Sequence, residues 1–145
     1  MLSKDLLEGA LRFHGHFGPF LVLGLRAGLL GVDCLGKDYF GLKAKVGTAL
    51  LPPRSCFIDG IQFASGCTTG KGNLEIHVSN DVSVEFVRGK RRISFVVRND
   101  VLKTLDLVTS DEQAETMGRE ILQKTDAEVF LVGRHSIAAP SFDIW

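Results

Sequence analysis

The sequence predicts an α+β domain in which helices pack on a mainly antiparallel sheet. Three observations carry this. The first 35 residues place apolar side chains at three- and four-residue steps, the period of an amphipathic helix. The middle of the chain carries runs in which every second residue is apolar, the period of a half-buried strand. Helix and strand signals do not alternate regularly, which argues against a doubly wound parallel sheet. At 145 residues the chain is long enough for one ordinary core, and it is read as a single domain over 1–145.

Leu2, Leu6, Leu7, Ala10, Leu11 and His14 share one face of a first helix, with Ser3 or Asp5 as its cap and Gly15 as its stop. Gly18 and Pro19 open a second helix that is apolar on nearly every side and fades between Gly31 and Gly36. Leu42, Ala44 and Val46 mark a strand, which Pro52-Pro53 stops. Ser55 is placed to cap a helix from Cys56 to about Ser65, with Gly66 or Gly70 breaking the chain after it. Leu74, Ile76 and Val78, then Val82, Val84 and Phe86, then Ile93, Phe95 and Val97 read as three strands. Asn80-Asp81 and Arg88-Gly89-Lys90-Arg91 stand as the turns of an antiparallel meander. A short helix over Asp100 to Leu107 and a longer one over Ser110 to Lys124 follow. Ser110 and Gln113 form a capping box, and Ala114, Met117, Ile121 and Leu122 lie on one face. Glu128 to Val132 is the final strand.

Composition excludes several classes. Lys and Arg total 17 and Asp and Glu total 17, a net charge of +0, so no basic field points to nucleic acid. The most apolar run, Phe17 to Leu35, is short, holds Arg26 and is broken by glycines, so no membrane span is expected. Lys4, Asp5 and Glu8 stand where a signal peptide would be apolar. Three cysteines are too few for a disulfide framework and fit a reducing compartment, so a cytoplasmic protein is expected.

Two segments carry chemistry. His14 and His16 flank Gly15, and two imidazoles at a helix end can converge on one metal. Cys56 and Asp59, three apart on a helix, face the same way, and a thiol in a first helical turn is expected to have a lowered pKa. Cys67 closes the same helix. Thr68, Gly70, Lys71 and Asn73 belong to a glycine-rich turn suited to an anion, although its spacing is not that of a Walker A loop. Each group has a structural alternative. His14 can be a helix C-terminal cap, the thiols small core residues, and Thr68 to Asn73 a tight turn. The company of Asp59, Gln62 and Lys71 favours a site. Cys34 has no polar company and is assigned to the core, and the basic cluster Arg88 to Arg92 to a solvated hairpin. A Cys56–Cys67 disulfide is disfavoured, because eleven helical positions at about 1.5 Å each separate the thiols too far.

At these residues the chain resembles the FmdE family, proteins linked by name to formylmethanofuran dehydrogenase. The family's first motif, roughly Phe-His-Gly-His-x-Cys-Pro-Gly, stands here as Phe13-His14-Gly15-His16-Phe17-Gly18-Pro19-Phe20. Gly18 replaces the family's cysteine. The second motif, roughly Cys-x-x-Asp-x-Ile-Gln-x-x-x-Gly-Cys-Thr-x-Gly-Lys-Gly-Asn, is present in full from Cys56 to Asn73. The resemblance implies a dimerising α+β domain with a metal site, and no paired cysteines for a C-terminal zinc ribbon follow Cys67. It implies His14, His16, Cys56 and Cys67 as ligands of zinc or another divalent transition metal, with Asp59 and Cys56 as catalytic groups. Thr68, Gly70, Lys71 and Asn73 would hold a cofactor, a molybdopterin-type group included. The implied role is accessory to a molybdenum or tungsten enzyme that reduces carbon dioxide onto methanofuran in methanogenesis, or an undefined metal-dependent activity, with whether the chain is itself an enzyme left open. The alternative is a non-catalytic module for a pterin-like or phosphorylated small molecule.

Overall fold

The structure, a computed structural model, describes residues 2–135. Its elements in chain order are α1 (Lys4–His14), α2 (Pro19–Leu35), β1 (Lys43–Thr48), α3 (Cys56–Ser65), β2 (Leu74–Val78), β3 (Ser83–Arg88), β4 (Arg91–Val97), α4 (Asn99–Leu105), α5 (Asp111–Gln123), α6 (Asp126–Val129) and β5 (Phe130–His135). The α+β class is as expected. The strands form one five-stranded sheet in the order β2-β1-β3-β4-β5, parallel between β1 and β2 and antiparallel at the other three pairings.

The expected meander is corrected here. β2 does not pair with β3. It lies parallel to β1, Val46 opposite Ile76, and β1 separates it from β3. Strand β1, helix α3 and strand β2 therefore make a βαβ crossover, and Asn80-Asp81 belongs to a connection that passes the end of β1 rather than to a hairpin. The β3–β4 hairpin is as read from the sequence, with Gly89 at positive φ in its turn.

One face of the sheet is covered by helices. Ala44, Val46, Val84, Phe86, Ile93, Phe95 and Val97 point into the core, where they meet Phe20, Val22, Leu23 and Ala27 of α2. Phe86, Phe95 and Phe130 stack edge to face across β3, β4 and β5, at centroid distances of 6.4 Å and 5.9 Å. The other face carries the alternate residues, among them the ion pairs Lys45–Glu75 and Arg92–Glu85.

Two glycines set the helix layer. A Cβ on Gly24 would lie 2.2 Å from the Phe57 carbonyl oxygen, and one on Gly60 would lie 2.5 Å from that of Leu21. Helices α2 and α3 thus pack backbone to backbone and run parallel, Gly24 beside Gly60 and Gly28 beside Ala64, so both N-termini lie at one end of the layer. Helix α1 packs outside them through Ala10, Leu7 and Leu11, against Leu21, Leu25, Ala64 and Phe63. It runs antiparallel to α3, with Gly9 and Phe13 beside Phe63 and His14 beside Asp59.

The caps are partly as expected. Ser3 caps α1 and Gly15 ends it in the left-handed region. Ser55 gives α3 no side-chain cap. The chain already turns over Leu51 to Ser55, and the amides of Cys56, Phe57 and Ile58 bond the carbonyls of Pro53, Arg54 and Ser55. Ser110 caps α5, but Gln113 reaches the Thr109 amide instead of closing the box on Ser110. The last strand starts later than expected, because Thr125 and Glu128 form a full capping box that makes 126–129 a helical turn.

Candidate metal centre

The sequence of α1 decides where His14 goes. Its apolar stripe docks against α2 and α3, and His14 is the last residue of that stripe before Gly15 turns the chain. The His14 side chain is consequently only 8 % exposed. Its Nδ1 lies 2.6 Å from Asp59 Oδ2. Its Nε2 is buried and has no hydrogen-bond partner. Gly15 returns the chain so that the His16 ring stacks near that of His14, with centroids 4.5 Å apart.

Cys56 opens α3 one turn before Asp59, on the same stripe. One ring nitrogen of each histidine and the Cys56 thiol lie within 4.8 Å of one another. Among the described residues this is the one group of three histidine, cysteine or acidic side chains placed to hold a metal ion. The residues fit such an ion. A carboxylate on Nδ1 fixes the tautomer and turns the Nε2 lone pair outward, and an orphaned buried nitrogen is costly unless something binds it.

The expected lowering of the Cys56 pKa is corrected. Burial raises it, the Asp59 charge raises it further, and a backbone hydrogen bond only partly offsets them. The physical reason is the thiol's surroundings: its partial burial and the facing Asp59 carboxylate, one turn on, outweigh the pull of the helix-start backbone. A bound cation reverses that balance, since a coordinating thiol is deprotonated.

Cys67 lies apart from this cluster. It is wholly buried in the core, and its thiol donates to the Leu42 carbonyl at 3.3 Å. Burial raises its pKa. Of the four expected ligands the structure therefore brings three together. Cys34 is half-buried and packs against the core.

The glycine-rich turn spends its donors on its own fold. The Thr68 amide bonds Asn73 Oδ1, the Thr69 amide bonds Gln62 Oε1, and the Lys71 amide bonds Thr68 Oγ1. Asn73, 2 % exposed, donates to the carbonyls of Tyr39 and Leu42. Lys71 Nζ donates to the Tyr39 carbonyl at 2.6 Å and lies 5.1 Å from the centre of the Tyr39 ring. Lys71 and Asn73 thus anchor the 39–42 segment. Sequence reasoning passed over Phe13, which is 55 % exposed beside His14. The available signal was an aromatic residue outside the apolar stripe of α1.

No helix among the described residues is long and apolar enough to cross a membrane. A tungsten formylmethanofuran dehydrogenase FmdE-like protein from Syntrophus aciditrophicus superposes with a TM-score of 0.68, covering 92% of this chain and 72% of that one at 18% identity, and shares the fold. An Archaeoglobus fulgidus protein described as a probable S-adenosyl-L-methionine-binding protein is 30% identical over 121 residues, 81% of this chain. This chain spans 30% of that relative's length. The family model described as FmdE, molybdenum formylmethanofuran dehydrogenase operon, matches residues 13–131, from the residue before His14 into β5, and the chain belongs to the FmdE family.

Proposed function

We propose that this chain is an FmdE-family accessory protein whose working centre is a divalent transition-metal site, with His14, His16 and Cys56 as protein ligands. One observation carries the reading: His14 is buried, is held by Asp59 through Nδ1, and has nothing on Nε2. Mixed nitrogen and sulfur donors suit zinc, and three protein ligands leave a fourth position for water or substrate. When bound, the ion supplies Lewis acidity and lowers the pKa of a water it carries.

The protein's own residues do the rest. Asp59 keeps the Nδ1 proton of His14 in place. Cys56 gives up its proton on binding, so affinity rises with pH. Asp59 is half-exposed, its side chain 37 % accessible, and is the group placed to hold a proton beside the centre. Cys67 stays in the core in this reading. The family's description names the molybdenum formylmethanofuran dehydrogenase operon, which supports service to such a molybdenum or tungsten enzyme as the role proposed here.

Elemental mass spectrometry on protein prepared without added zinc tests the centre. The expected result is about one ion per chain, lost in His14→Ala and in Cys56→Ser. No bound metal after reconstitution would overturn the reading.

A further inference from the structure

A second feature shares the α1–α3 seam with the metal cluster. A cavity of ≈ 480 Å³ is lined by Phe13, Gln62, Phe63, Thr68, Thr69 and Gly70. Phe13 is the chain neighbour of His14. On α3, Cys56, Asp59 and Phe63 fall at i, i+3 and i+7, one stripe. Phe63 lies about 6 Å of helix rise beyond Asp59 and about 10 Å beyond Cys56. The cavity is of the size that small organic ligands occupy.

Its lining is selective. The Phe13 and Phe63 rings are 5.8 Å apart and tilted by 32°, and Phe13 is 55 % exposed at a position where a polar residue would otherwise face water. The polar groups can donate. Gln62 Oε1 is taken by the Thr69 amide, which leaves its NH₂ to offer, and Thr68 Oγ1 accepts from the Lys71 amide, which leaves its hydroxyl proton. Among the described residues no cationic side chain lines the cavity, and Lys71 Nζ is turned to the Tyr39 carbonyl. A phosphate would find no counter-charge. A flat unsaturated ring would find a ring face at Phe13 and donors for its ring or carbonyl acceptors.

We infer that this cavity is the substrate-binding arm of the metal centre, and that it takes a flat, uncharged aromatic or heteroaromatic ring bearing acceptor atoms, joined by a short chain to the group that meets the metal. The inference rests on the metal reading above.

Gly70 makes a clean test. Gly70 lines the cavity, a Cβ added there meets nothing within 4 Å, and Gly70 is not among the glycines at positive φ, so a side chain fits without strain. The probes are acetohydroxamate, which binds metal alone, and 3-(2-naphthyl)propanohydroxamate, which adds a flat ring on a two-carbon tether. Both are titrated calorimetrically into the zinc-loaded full chain. The naphthyl probe is expected to bind at least about tenfold more tightly. Gly70→Leu, which adds bulk at the lining of the cavity, and Phe13→Ala, which removes its wall, are each expected to reduce that advantage and leave acetohydroxamate binding unchanged. Equal affinity for the two probes, or an advantage that survives both substitutions undiminished, overturns the cavity assignment and leaves the metal reading standing. Failure of both probes to bind the zinc-loaded chain overturns the cavity assignment alone, whereas a chain that takes up no zinc overturns the two together.

Discussion

His14 Nδ1 and Asp59 Oδ2 stand 2.6 Å apart although 45 residues of chain separate them, and this contact joins the end of α1 to the first turn of α3. It orients the one buried nitrogen without a partner in the cluster. Asp59→Asn keeps the shape but gives up the charge and with it the control of the tautomer. Metal affinity is expected to fall about 10- to 100-fold, read by competition with a chromophoric chelator.

The same carboxylate raises the Cys56 pKa, second to burial. In metal-free protein Cys56 should react slowly with iodoacetamide at neutral pH, and its reactivity should rise only above the usual thiol range. Removing the negative charge lowers that pKa, so Asp59→Asn should speed alkylation at neutral pH. A rate equal to that of wild type would show that Asp59 does not act on the thiol.

Cys67 and Cys56 should separate cleanly. Cys67→Ala removes a wholly buried thiol and its contact to Leu42. It should cost about 1 kcal/mol of stability and leave metal content intact. Loss of metal in Cys67→Ala with unchanged folding would return Cys67 to the ligand set.

Gly24→Ala should be the most damaging of the small substitutions, because the new methyl would stand 2.2 Å from the Phe57 carbonyl oxygen. A loss of about 1–3 kcal/mol or more is expected by denaturant unfolding. Metal affinity should fall with it, since α3 would shift and carry Cys56 away from the histidines.

Glu128 closes the Thr125 capping box, and the hydrogen bonds from Thr125 hold its pKa below the usual glutamate value. A folded pKa below the unfolded one adds stability above the unfolded pKa and loses it as pH falls through the folded value. The stability advantage of wild type over Glu128→Gln should therefore shrink from about pH 7 to about pH 3, as measured by thermal unfolding.

Much of this was legible in the chain. The period of α1, Pro19 at the head of α2 and the alternation in β3 and β4 are local signals, and each gave its element. The pairing of β2 was not. Leu74, Ile76 and Val78 alternate equally well beside a parallel or an antiparallel neighbour, and Asn80-Asp81 imitates a hairpin turn. The helix between β1 and β2 was the clue, because a strand, a helix and a second strand make a parallel crossover. At the centre, residue types pointed to His14, His16, Cys56 and Asp59. They could not say that Cys67, at the far end of α3, would turn its thiol to Leu42 and the core. That depends on packing, which spacing along one helix does not contain.

The placement of the cluster has a mechanical consequence. Its ligands come from the end of α1 and the turn just after it, and from α3, which is locked to α2 by two glycines. An ion held between them ties a loop of roughly 40 residues and works as a clasp that restricts the unfolded chain as well as the folded one. Without the clasp, α1 would be the first element to lift, and amide exchange along it would report metal occupancy before any change in the sheet.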